Sequence, residues 1–80
     1  MPRYFFHVKD EQGWIKDEEG LKLPDLAAAM KEADGTAVDL AKAAIRESRP
    51  VDGRTVVVFD DQGQPVYLLP VKQTIRQLGN

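Results

Sequence analysis

Apolar and polar positions follow two different periods along this chain, a two-residue one near both ends and a helical one between them. Arg3–Lys9 (RYFFHVK) is short and rich in aromatic and β-branched residues, which predicts a strand. Asp10-Glu11-Gln12-Gly13 has turn composition, and Trp14–Asp17 reads as the returning strand. Gly20 interrupts the chain, and Leu21–Leu23 is read as a brief extension of the sheet. Thr55–Phe59 (TVVVF) is the clearest strand. Asp60-Asp61-Gln62-Gly63 is a second turn, and Val66–Leu69 is the last strand, with Pro65 and Pro70 at its ends, where proline is tolerated. VKDEQG (8–13) is echoed by VFDDQG (58–63), so two similar hairpins flank the middle of the chain.

That middle is helical. Asp25 is a good N-cap, because its carboxylate accepts from free N–H groups of the first turn. From there to Ser48 the sequence is rich in alanine and lacks proline, and Pro50 is the expected stop. Leu26, Met30, Ala33, Ala37, Leu40 and Ala44 lie within about 40° of one line on a helical wheel, with Gly35 opposite on the solvent side. A competing reading breaks the helix at Gly35 and caps a second one with Thr36-x-x-Asp39. The stripe keeps its phase across Gly35, which favours one helix of about 36 Å. Asp52-Gly53 is the expected turn into the next strand, and the last residues form a short helix or fray.

The expected architecture is a two-layer α+β domain: a four-stranded, mainly antiparallel sheet in ββαββ order with one long helix across one face. Residues 1–71 form the domain and 72–80 a C-terminal tail. Sorted by period two, one set of strand residues is Tyr4, Phe6, Val8, Ile15, Val56, Val58, Val66 and Leu68. The other is Phe5, His7, Trp14, Val57, Phe59, Tyr67 and Leu69, the sets being paired by composition. Both are apolar, whereas an antiparallel sheet with one wet face alternates apolar and polar. A single helix covers one face only. The second set therefore predicts a further cover: another copy, another protein, or the C-terminal segment folded back. Together with Val38 and Ile45 on the helix flank, it is the candidate interaction surface.

Composition narrows the choice. Eighty residues make one domain with a thin core, and small domains often rely on a staple. The absence of cysteine removes disulfides and thiolate metal sites, and a single histidine removes a multi-histidine zinc site, leaving oligomerisation. A net charge of −2, from 11 basic and 13 acidic residues, is no footprint for nucleic acid or an anionic membrane. No apolar run approaches the length of a bilayer span or of a signal-peptide core, so a cytoplasmic location is expected.

Candidate chemistry is sparse. His7 is the only imidazole, and no nucleophile lies near it in sequence; Ser48 is the only serine and sits at the predicted helix end. The acidic groups Asp10-Glu11, Asp17-Glu18-Glu19 and Asp60-Asp61 read as solvated turns, with the last two sets at a common end of the sheet. The aromatic set resembles a base-stacking platform in composition but lacks flanking cations. Lys42, Arg46, Arg49 and Arg54 are the only basic concentration and suit a helix C-terminus. There is no phosphate loop, catalytic triad or metal-ligand spacing. The expectation is a non-enzymatic interaction domain without cofactor or metal. It would act as a homodimer or bind another small protein, with neither nucleic acid nor membrane as partner. A small ligand-binding or catalytic domain built on His7 is the alternative.

MPRYFFHVKD, DEEGLKLPDL and VVVFDDQGQPVYLLPV together resemble a family of short uncharacterised bacterial proteins common in alphaproteobacteria, classed as a domain of unknown function. The resemblance covers nearly the whole chain, implies no activity, substrate or cofactor, and transfers no functional residue. The chain is also similar to HicB-type antitoxins, in which a hairpin starting at Gly-aromatic leads to Pro-Asp-Leu and an Ala-rich helix ending in a Gly/Pro loop. Gly13-Trp14, Pro24-Asp25-Leu26 and Arg49-Pro50-Val51-Asp52-Gly53 stand in that order. The Asp17–Lys22 insert departs from that pattern, and the last nine residues are too few for an appended DNA-binding domain. This second resemblance implies binding and blocking a small toxin partner.

Overall fold

The computed structural model describes residues 1–49 and 53–78, with side chains to residue 74. Its elements are β1 (Arg3–Asp10), β2 (Gly13–Ile15), β3 (Leu21–Lys22), α1 (Leu26–Arg46), β4 (Thr55–Phe59), β5 (Pro65–Pro70) and α2 (Val71–Leu78). The sheet is antiparallel throughout, in the order β2-β1-β4-β5, and β3 pairs with β1. β2 and β3 share one edge of β1: Val8 to Asp10 pair with β2, and Arg3 and Tyr4 pair with β3. The chain is thus α+β, with the brief sheet extension expected at Leu21–Leu23 present as the two-residue β3 and the short C-terminal helix present as α2.

The two hairpin turns use the same device. The Asp10 carboxylate accepts the Gln12 N–H at 2.8 Å, and the Asp60 carboxylate accepts the N–H groups of Gln62 and Gln64, each at 2.9 Å. Such side-chain bonds close a turn on its own backbone. This gives the repeated sequence its structural meaning.

Helix α1 is continuous through Gly35. Asp25 caps it, accepting the Ala28 N–H at 2.9 Å, with extended backbone at the cap. At the other end the Arg49 N–H reaches back to the Ala44 carbonyl at 2.8 Å, and Ser48 takes a left-handed φ of 56°. That bond and conformation make a helix stop in which glycine is the usual residue. The expected Pro50 stop and the Asp52 half of the following turn lie outside the described residues.

The helix meets the sheet along Ala29, Ala33, Ala37, Ala41 and Ala44, all fully buried. Their direction is that of the sequence stripe. Burial falls on the small residues, while Leu26 and Met30 in the first turns stay exposed. Alanines let the helix backbone lie close to Val56 and Val58 of the central strand, which share their core with Tyr4 and Val71. Phe6, Leu23, Leu40, Val66, Tyr67 and Leu69 pack around its edge. α2 follows β5 without a loop. The Val71 N–H donates to the Arg54 carbonyl at 3.0 Å, and Val71 and Thr74 are buried on the helical side of the sheet. The C-terminal helix therefore widens the helical layer and leaves the other sheet face as it was. The shortest principal extent, 16 Å, has room for these two layers only.

Strand β5 corrects the expected faces. Val56 pairs with Leu69, Val57 with Leu68 and Val58 with Tyr67. Residues directly opposite across a ladder share a face, so Tyr67 and Leu69 lie on the helix side and Leu68 on the open side. The cause is a register shift at Val58/Phe59: Phe59 pairs with Pro65, so Val66 and Tyr67 both pack on the core side. An extra residue of this kind reverses every later assignment by period two. The Tyr67 hydroxyl donates to Asp34 of α1 at 3.2 Å, and burial together with the Asp34 charge pushes the phenol above its ordinary value of 10.0.

Candidate functional site

The face away from the helices is built by residues of four strands, β1, β2, β4 and β5. Phe5 pairs with Phe59 and His7 with Val57, while Lys9 pairs with Trp14 on one side and Thr55 on the other. These side chains point one way because strand residues two apart share a face. The aromatic rings form one cluster. His7 lies 5.0 Å from Phe59 and 6.3 Å from both Phe5 and Trp14, and Trp14 meets Phe59 edge-on at 6.0 Å. The Lys9 ammonium lies 5.5 Å from the centre of the Trp14 ring, within range of a cation–π contact.

The cluster is only partly covered. Trp14 is 44% and Leu68 60% exposed, whereas Val57 on the same face is buried and Val56 and Val58 on the other face are fully buried. A groove of about 540 Å³ runs between Trp14, Val57, Phe59, Pro65 and Leu68, reaching the Asp10-Glu11 turn. A second groove of about 440 Å³ starts at Phe5, His7 and Phe59 and is walled by Lys16, Asp17, Glu18, Asp60, Asp61 and Gly63. The 17–18 and 60–61 carboxylates thus share one end of the sheet, as the strand directions require.

His7 is held from behind. Between β2 and β3 the chain leaves the edge of β1, and Asp17 fills the gap. Its own N–H donates to His7 Nδ1 at 3.0 Å, and its carboxylate accepts the N–H groups of Phe6 and Gly20, each at 3.1 Å. With Nδ1 accepting, the neutral imidazole carries its proton on Nε2. Partial burial works against the Asp17 charge. The N–H groups of Gly20, Phe6 and Glu19, with His7 nearby, more than offset it and hold the carboxyl below its ordinary 3.8. Gly20 belongs to the same tie. Its φ is +69°, and an added Cβ would come within 2.8 Å of the Tyr4 carbonyl oxygen. The Arg3 guanidinium closes the loop by donating to the Glu19 carbonyl at 2.6 Å.

The structure brings Phe5, His7, Trp14, Val57 and Phe59 together. It separates Tyr67, Leu69 and Val38 from them: these line a small cleft with Asp34, Gln73 and Thr74, between α1, β5 and α2. Ile45 is 60% exposed on α1, in the opposite layer. Leu68, Lys9 and Pro65 join the open face although the sequence pattern did not place them there. Asp17 has a structural role that its acidic run concealed; its spacing from Gly20 is the signal that marks a closed loop. Among the described residues no group of three or more His, Asp or Glu side chains is arranged to hold a metal ion, and no helix is long and apolar enough to cross a membrane.

Residues 3–72 match the model of a protein family described as Domain of unknown function (DUF6894). Neither a curated protein nor a solved structure matches the chain.

Proposed function

This chain belongs to the DUF6894 family, and we propose that it works as a small, non-enzymatic interaction domain that docks another polypeptide on its open sheet face. The observation that carries this reading is the one-sided cover of the sheet: Trp14 and Leu68 stand exposed over an aromatic floor while both helices pack on the opposite face. A monomer gains little by displaying such side chains together, and contiguous apolar surface of this kind is characteristic of binding faces. Catalysis on His7 has less support. Nδ1 is committed to the Asp17 N–H, and Ser48, the only serine, lies at the far end of α1. A phosphate-bearing partner also fits poorly, because a stacking platform for nucleic acid needs a basic surround.

Self-association and docking of a different small protein, as an antitoxin-like binder would do, are the two forms of this reading. Light scattering across a wide concentration range, with Trp14 emission as reporter, separates them. A mass near twice 9.0 kDa that falls to monomer in Leu68→Lys supports the first. A monomer with solvent-exposed Trp14 supports the second. A monomer whose Trp14 is already shielded, and stays shielded in Leu68→Lys, contradicts both.

A further inference from the structure

The charges around the open face say what kind of polypeptide fits it. The two grooves are lined by six carboxylates: Asp10, Glu11, Asp17, Glu18, Asp60 and Asp61. Among the described residues only two cations, Lys9 and Lys16, line the same grooves. The rim is therefore net −4, although the whole chain, with 11 basic and 13 acidic residues, is only −2. The other described side chains hold eight basic and six acidic groups and are net +2. Charge is thus segregated, with the excess of carboxylates collected around the one apolar face left uncovered.

We propose that the occupant of this face is a basic segment of another protein, with apolar residues on the Trp14–Leu68 groove and lysine or arginine heads at the rim. The inference rests on the docking reading above and names its partner. The groove starting at Phe5, His7 and Phe59 suits such a head on two counts. Aromatic faces attract cations, and the carboxylates of Asp17, Glu18, Asp60 and Asp61 wall the same space. Complementary rims of this sort steer encounter and exclude wrong partners. A second copy is a poorer occupant, because a face-to-face pair brings two −4 rims together. Like charge across an interface opposes association.

The test uses Trp14, the only tryptophan, as a reporter inside the groove. The probe is an end-capped peptide with a Leu-Val-Leu centre flanked by two lysines on each side. The control is the same peptide with glutamates in place of the lysines. The lysine peptide should shift Trp14 emission saturably, and the glutamate peptide should bind at least about tenfold more weakly. Raising salt from about 0.05 to 0.5 M should weaken the lysine peptide about tenfold, since screening shortens the reach of exposed charges. Glu18→Gln with Asp61→Asn, both at exposed positions, should weaken it about threefold or more while leaving the fold intact. Equal binding of the two peptides would overturn the basic partner but leave the docking face. So would a dimer that shields Trp14 without peptide. A monomer with exposed Trp14 that responds to neither peptide would overturn both.

Discussion

His7 Nδ1 accepts the Asp17 N–H at 3.0 Å, while the Asp17 carboxylate takes the N–H of Phe6, the residue before that histidine, at 3.1 Å. Asp17 thus ties to β1 twice, by its backbone to the His7 ring and by its side chain to the Phe6 backbone. The tie replaces sheet pairing along the stretch of β1 that neither β2 nor β3 covers. It also fixes the ring at the centre of the open aromatic face, so the floor of the proposed docking groove is set before any partner arrives.

Removing the carboxylate should therefore cost stability. Asp17→Ala leaves the Phe6 and Gly20 N–H groups without their acceptor, and the expected loss is about 2 kcal/mol, read from urea unfolding. His7→Phe keeps ring area but removes the Nδ1 acceptor, and about 1 kcal/mol should be lost.

The same carboxylate sets an acid limit. Its pKa in the fold lies below the ordinary 3.8, so the folded state binds protons less readily there than the unfolded chain. Its contribution is fully present above the unfolded value and disappears as pH falls through the folded one. Melting temperature should fall as pH drops below about 4, and in Asp17→Asn that fall should be shallower. Parallel curves for the two proteins would contradict this assignment.

Three backbone positions should respond with opposite signs. A Cβ at Gly35 meets nothing within 4 Å, so Gly35→Ala should stabilise the helix by up to about 1 kcal/mol. Ser48 holds a left-handed φ, so Ser48→Gly should also stabilise, by roughly 0.5–1 kcal/mol. Gly20→Ala combines positive φ with a backbone clash and should cost about 2 kcal/mol or more. Thermal melts of the three single variants check all three signs.

The two faces of the sheet should tolerate opposite changes. Ala37 is fully buried in the helix–sheet seam, and Ala37→Leu should cost about 2 kcal/mol or more by overpacking. Leu68 is 60% exposed, and Leu68→Lys should change unfolding free energy by less than about 0.5 kcal/mol.

The parts of this fold that local pattern controls were legible in the sequence. TVVVF is the central strand, Asp25 caps the helix, and the stripe that stays in phase across Gly35 belongs to one helix. The faces of β1, β2 and β4 also follow from period two. β5 does not, because one extra residue at Val66 reverses Tyr67, Leu68 and Leu69, and composition carries no mark of such a bulge. Leu26 and Met30 were natural choices for core by size. The fold instead uses alanines, since close approach of helix and strand rewards small side chains. Asp17 is a mixed case: its bond to Gly20 is local and marked by their spacing, but Phe6 and His7 reach it only through the folding of the sheet, which no short-range spacing encodes.

Chemical-shift mapping of amide signals on adding the lysine-flanked peptide tests the central claim most directly, because it reports where a partner binds. The account predicts that shifts centre on Phe5, His7, Trp14, Val57, Phe59 and Leu68 and extend to the turns at Glu18 and Asp61. Shifts centred instead on the outer side of α1 around Ile45, or on the Val38–Tyr67 cleft, would contradict it.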